Sequence, residues 1–434
     1  MKRCVVAFLL IVIVTQTWAG EKKETATETP TPETNSDAIS FRVGGYATSV
    51  LTHMTTDTYS EYQVPPHTPD KKKSLTADLN RLRLSPELNV SDNFHARLDL
   101  DAEAIYATYL NSPEFRAFFG TGEENDFFDL TADEEKGEGY YRLKVHRAYF
   151  KWILNSLTIT AGRQQIRFGS ARLWDPLDLL NPVFPLSVEG AEEQRGTDAV
   201  RLEYYLTPTA ELDLIVDGKR LDNDRGFTSS NTKCNVLSRM KWTAGETDIA
   251  GILGSVSNRT IYGVDVSSVM FDGLFNTSAV YADPENGASF LQASAGYEYN
   301  FRYVYLLMEY FFNQEGLNAN DELKYAYASN QITGVTKETY EILSNRLITH
   351  NAHYVGIASA FDINALLRAD MFVIYDVEGN ALFFTPSLKY NVTTNLDVTF
   401  GIMTAGILNR QEKSSDFDFL ATTPLFFSSA KLYF

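Results

Sequence analysis

Arg163, Arg167 and Arg172 follow one another at intervals of four and five positions in LTITAGRQQIRFGSARLWDPLDLLNP, residues 157–182. A guanidinium keeps its charge at any physiological pH. Fixed charges set this close either focus a field that selects ions or brace a wall by pairing with acids. The same stretch opens as an alternating strand whose neighbours carry Val, Leu and Phe at every second position. Which use the arginines serve depends on which side of that strand is dry, and the elements around it decide that.

Other chemistry has little support. His350 and His353 lie three apart on a strand, so they point to opposite faces and cannot share a metal. A hydrolase needs a His within reach of a Ser or Asp, and six scattered histidines with no nucleophile-elbow motif offer little. No catalytic residue, metal or cofactor is expected.

With 434 residues, 44% hydrophobic and 13% aromatic, the chain can supply a large core or face lipid. MKRCVVAFLLIVIVTQTWAG joins Lys2 and Arg3 to an apolar run from Val5 to Val14 and small residues at Thr17 and Ala19, which predicts a cleaved signal peptide over 1–19. The run is far short of the ~20 residues of a spanning helix. Cleavage removes Cys4, leaves Cys234 with no intramolecular disulfide partner, and moves the formal net charge from -18 to -20. Such acidity disfavours nucleic acid as a partner. Residues 20–38, rich in Thr, Glu and Pro without apolar period, predict a flexible periplasmic tail.

From Ile39 onward the period is two. Leu82, Leu84, Leu88 and Val90 alternate with Arg81, Arg83, Glu87 and Asn89, and the next segment repeats the pattern. A soluble sandwich and a membrane barrel share that alternation with opposite faces wet. Connection lengths separate them. Tight turns alternate with connections that include all the long ones, near 55–74, 110–140, 169–196, 314–346 and 408–423. The strands, about 10–16 residues each, are also long for a soluble sheet. This predicts an all-β fold, a transmembrane up-and-down antiparallel β-barrel of about 18 strands over 39–434. The last strand, PLFFSSAKLYF, ends on Phe434 and resembles the C-terminal signature that the barrel-assembly machinery of outer membranes reads.

With lipid outside, Ile166 and Phe168 of a strand over 157–168 face lipid only if Arg163, Gln165 and Arg167 face the lumen. Leu157, Ile159 and Ala161 share the arginines' parity, so the faces must switch near Gly162, where a bulge is expected. A similar slip is expected one strand earlier, where Leu143 and Val145 give way to Ala148, Phe150 and Trp152. Arg81, Arg83, Arg97, Arg147, Arg163, Arg167 and Arg201 then form a basic inner wall with Lys151 nearby. Asp99, Asp101 and Glu103 interrupt it, and Glu211, Asp213 and Asp217 stand beside it.

The loop 169–196 is too apolar for open water and should fold back, either into the barrel mouth, which brings Arg172 near Arg163 and Arg167, or as an extracellular cap packed only on its own strands. Asp175 as N-cap and Pro176 at the first helical position predict a short helix there. The acidic loop 123–138 reads as solvated, with divalent-ion binding beside lipopolysaccharide as a second possibility. Tyr140, Tyr141, Phe311, Phe312, Phe426 and Phe427 suit interfacial aromatic girdles.

GRQQIRFG, the following tryptophan and GTDAVRLEY resemble a pattern of the alginate-export family and related porin-like barrels of Gram-negative bacteria, over residues 157–205. The resemblance implies a monomeric barrel of about 18 strands, with an arginine-lined, loop-constricted channel for an anionic polysaccharide. Arg163, Arg167 and Arg172 match the motif's basic positions, while the inserted DPLDLLNP departs from it. The expected function is an outer-membrane channel for small or anionic solutes, its pore lined by Arg81, Arg83, Arg97, Arg147, Arg163, Arg167, Arg172 and Arg201. The alternative is a non-conducting barrel acting as receptor, adhesin or scaffold. Expected partners are outer-membrane lipid and lipopolysaccharide, and the assembly machinery through Phe434.

Overall fold

A computed structural model describes residues 39–56, 73–110, 115, 127–182, 196–221, 231–285, 288–316, 347–409 and 415–434. The signal and tail expected over 1–38 lie outside them, as do residues 183–195 of the apolar loop and 123–126 of the acidic one. The strands are β1 (Ser40–Thr56), β2 (Lys73–Ser91), β3 (Phe94–Ala107), β4 (Thr131–Lys136), β5 (Gly139–Leu154), β6 (Leu157–Gln164) and β7 (Thr197–Thr207). They continue as β8 (Ala210–Leu221), β9 (Asn231–Ala244), β10 (Thr247–Val256), β11 (Arg259–Met270), β12 (Gly273–Pro284) and β13 (Phe290–Asn300). The last are β14 (Val304–Asn313), β15 (His353–Asp362), β16 (Leu367–Asp376), β17 (Ala381–Thr393), β18 (Leu396–Ile407) and β19 (Leu425–Tyr433). A short helix, α1 (Asp418–Thr422), precedes β19.

All strands but β4 pair with their wall neighbours in antiparallel order, and β1 pairs with both β2 and β19, so an eighteen-strand wall closes on itself. Closure satisfies every interior strand edge, the condition for putting a sheet in hydrocarbon. The short connections are tight turns. Phe271 and Asp272 take positive φ (51° and 60°), and so do Ser257 and Asn258 (50° and 59°), which matches hairpin twist.

The slip expected in β5 is present: register shifts between Asp99 and Leu100 of β3, whose partners are Arg147 and Val145, so His146 is the extra residue. At Gly162 the expectation fails. The ladder from Ala148↔Arg163 to Leu154↔Leu157 runs without a register shift, and Gly162 instead takes φ +119° beside Tyr149. β6 also ends at Gln164, four residues before the strand end expected at 168. β4 occupies the edge of β5 that β6 leaves, pairing from Thr131↔Lys144 to Lys136↔Gly139. Part of the acidic loop is therefore strand.

Beyond Gln164 the chain leaves the wall. Ile166 and Phe168 do not face lipid; they are buried with Leu177, Leu179 and Leu180 against Ala199, Ile215, Leu237, Ile252 and Ile261, side chains on the inner parity of β7 to β11. Leaving the strand frees the segment from its outward parity, and its apolar side chains are removed from water by packing on the inner wall. Trp174, further along, stacks on Phe311 of β14 at 5.6 Å between ring centroids and tilts against Tyr354 of β15. A second inward element, the segment before α1, brings Phe417 onto Tyr354 and Phe383. Around Asp175 there is one turn and no helix: Leu177 N–H donates to the Asp175 carboxylate and Asp178 N–H to its carbonyl.

The girdle expectation holds for half of its residues. Tyr141 and Phe426 are exposed on the outer face, whereas Tyr140 and Phe311 are buried inside. Adjacent residues on one strand face opposite ways, so only one of each pair can meet lipid.

Candidate functional site

The inner wall is ionic, and the arginines are paired. On β2, Arg83 grips the Asp101 carboxylate with Nε and Nη2 at 2.5 and 2.6 Å, and Arg81 Nε donates to Glu103 at 2.7 Å. From β5, Arg142 donates to the other Glu103 oxygen, with Lys144 at 3.2 Å. The β2 and β5 cations thus flank the β3 acids as a ladder. Both arginines are close to fully buried, their side chains 5% and 7% exposed. Register explains the ladder: Arg81 stands opposite Glu103 and Arg83 opposite Asp101. Lower on the wall Arg97 bonds Asp99 and Glu87 but keeps 35% of its side chain exposed. Arg147 donates to Gln165. Arg201 lies among Glu203, Glu211 and Asp213, with Arg239 on the far side. Those three carboxylates are close enough to hold a metal ion, but two guanidiniums already bind them.

Arg163 does not line the lumen. It stands opposite Ala148 and Asp198, residues on the parity of the exposed Phe150, Trp152 and Tyr204, and is 2% exposed. Its Nε and Nη2 donate to Asp198 at 2.9 and 3.0 Å, and its remaining donors reach the Val145 and Phe128 carbonyls. Phe128 N–H also donates to Asp198. The segment before β4 therefore seals the pair from outside. Without the bulge expected at Gly162, parity carries Arg163 to the outer face.

Arg167 and Arg172 lie on the infolded segment: Arg167 pairs with Asp175 of the same segment, and Arg172, 49% exposed, with Glu298 of β13 at 2.7 Å. Burial pushes the Asp175 carboxyl up, opposed by the Arg167 charge. Two wall acids that sequence reading missed hold this segment. Glu309 of β14 accepts the backbone N–H groups of Arg172, Leu173 and Trp174, the shortest at 2.7 and 2.8 Å. Asp265 of β11 accepts from the Ser170 amide and hydroxyl and from Ser278. β13 and β14 lie on the far side of the eighteen-strand wall from β6, so the segment that starts at β6 and bonds to them crosses the lumen.

At the short-turn end, where β1 begins and β19 finishes, lies a cavity of about 390 Å³. Arg42, Arg83, Arg97, Arg147 and Lys431 line it against two carboxylates, Glu87 and Asp99. Lys431 sits 4.1 Å from the centre of the Tyr46 ring, and Arg83 lies 5.2 Å from the same ring. Arg42 and Lys431 went unnoticed in the sequence because they come from the two ends of the chain; their period-two parity was the available signal.

A closed transmembrane barrel with an ionic inner wall and an infolded segment is the class that these features define. No protein-family model matches the chain, and no curated protein matches it. Among solved structures, it is similar to OccAB2 of Acinetobacter baumannii at 9% identity and TM-score 0.52, covering 90% of this chain and 98% of that one. It is likewise similar to OccK2 (OpdF) of Pseudomonas aeruginosa at 10% identity and TM-score 0.51, over 90% and 98%. The outer membrane protein opdK of Pseudomonas aeruginosa gives 8% identity and TM-score 0.51, over 91% and 98%. At such identities the likeness is one of fold. The alginate-export resemblance rests on residues 157–205 alone.

Proposed function

We propose that the protein is an outer-membrane channel (porin) that passes small solutes and prefers anions. The observation that carries this reading is the cation-rich cavity at the short-turn end, where Arg42, Arg97, Arg147 and Lys431 stand beside two carboxylates, Glu87 and Asp99, while Arg83 on the same lining is held by Asp101. A charge surplus in a narrow space with low-dielectric walls raises the local concentration of counter-ions. Arg97, Arg147 and Lys431 set that surplus, with Arg167 and Arg172 above them; Arg81, Arg83 and Arg201 brace the wall. A further solved structure of OccK2 (OpdF), 10% identical with a TM-score of 0.50, is a complex with glucuronate, an anion of the size such a cavity accepts.

One observation favours the alternative of a non-conducting receptor, adhesin or scaffold barrel: the part of the lumen around Trp174, Tyr354 and Phe417 is packed with apolar side chains. Reconstitution in planar bilayers tests the two. A channel gives discrete conductance steps and a reversal potential displaced toward anions in a salt gradient. No steps at any applied voltage would refute it and leave the scaffold reading.

A further inference from the structure

Residues 170–174 meet the wall through three carboxylates: Asp265 on Ser170, Glu298 on the Arg172 side chain, and Glu309 on three successive backbone amides. Three convergent N–H groups make a small anion nest, and Glu309 fills it from the wall while itself fully buried. Beside these bonds the wall offers two seats. Gly263 of β11 leaves room for Leu177, whose Cδ2 would stand 2.6 Å from any Cβ placed there. Gly356 of β15 does the same for Leu173 and Trp174. The two strands lie well apart in the wall order, so each seat holds one part of the segment.

This attachment differs in kind from the wall. The barrel strands are held by continuous backbone ladders, whereas the segment is held by a few side-chain bonds and knobs in seats. Loss of the latch can therefore release it while the barrel stays closed, which is what a two-state element requires. Released, it vacates the lumen, because Trp174, Leu177 and Leu180 are among the side chains buried there.

We propose that residues 170–177 are a gate that docks and undocks as a unit, latched by Glu309 through the backbone amides of Arg172, Leu173 and Trp174. The gate rests on the reading of the barrel as a channel; the latch does not. In Glu309→Gln one acceptor oxygen remains and an NH₂ donor faces the nest, so docking weakens. Gly263→Val acts from the other side by filling the Leu177 seat without touching a charge.

The test uses the full-length protein in detergent micelles and in planar bilayers. Amide hydrogen exchange over residues 170–177 is expected to be protected in the wild type and about tenfold faster in both variants, in Glu309→Gln from weakened bonds to a charged group and in Gly263→Val from the lost Leu177 seat. Conductance of both variants should rise above wild type, with more frequent steps. Retained heat-modifiable migration shows that each variant is folded. Unchanged exchange in the folded variants overturns the latch, whatever the pore does. Faster exchange with unchanged conductance steps overturns the gate. Faster exchange with no current from any form keeps the latch and overturns both gate and channel.

Discussion

Arg163 holds Asp198 by two parallel hydrogen bonds at 2.9 and 3.0 Å, on the outer parity of a membrane wall and sealed there by the Phe128 backbone. A guanidinium at that place cannot act on solutes in the lumen. It acts on the wall. Arg163→Gln should cost about 3 kcal/mol, the scale for stripping one partner from a buried pair, because the Asp198 charge stays behind. Thermal unfolding in detergent would register it. A shifted reversal potential with unaltered unfolding would assign Arg163 to the pore after all.

The cavity cations should behave oppositely. Replacing Arg97, Arg147 and Lys431 by Gln leaves Glu87 and Asp99 facing the cavity with Arg42 and Arg83. The anion-to-cation permeability ratio is expected to fall severalfold in dilute salt. Near 1 M, where the screening length is about 3 Å, the difference should shrink. A ratio insensitive to the triple change would remove the charge surplus from the account of selectivity.

Gly162→Ala should destabilise the barrel by roughly 1–3 kcal/mol, since φ +119° is a region that L side chains rarely adopt and the new Cβ would meet the Ala148 carbonyl. The comparison is Gly251→Ala, at a glycine with open space around it, which should be near neutral. Equal melting temperatures for the two would contradict the strain.

Phe434 exchanges both backbone bonds with Gly45, its N–H donating to the Gly45 carbonyl at 3.1 Å and its carbonyl accepting the Gly45 N–H at 3.0 Å. Deleting it opens the end of the β1–β19 seam. Yield in the outer membrane is expected to drop well below that of Phe271→Ala, a change at an exposed turn residue. Comparable yields of the two would show that the terminal residue carries no assembly role.

A closed ladder of backbone bonds should survive cold detergent and open only on boiling. Gel mobility is the measure: a folded band that migrates differently from the boiled one. One band under both conditions would count against the closed wall.

Strand number, alternation of faces and parity of turns were legible along the chain, because a wall strand's side chains obey a local period of two and each hairpin is a local event. The slip in β5 was legible for the same reason: Leu143, Val145, Ala148 and Phe150 carry it in their spacing, and His146 is the extra residue. Pairing was legible only in outline. Arg83 faces Asp101 through register between strands, which period alone leaves open. Arg163 shows where local reading stops. Its parity pointed outward, against the expectation that charge belongs inside, and only the segment before β4, arriving from a distant part of the chain, makes an outward charge tolerable. Glu309 and Asp265 look like any inward acids of a barrel strand until the infolded segment reaches them. The sequence by itself determined a barrel with an ionic interior, since periodicity and burial of backbone bonds are set residue by residue. The tertiary structure decided which charges brace, which face the lumen and what the infolded segment grips, since those depend on elements brought together across the barrel.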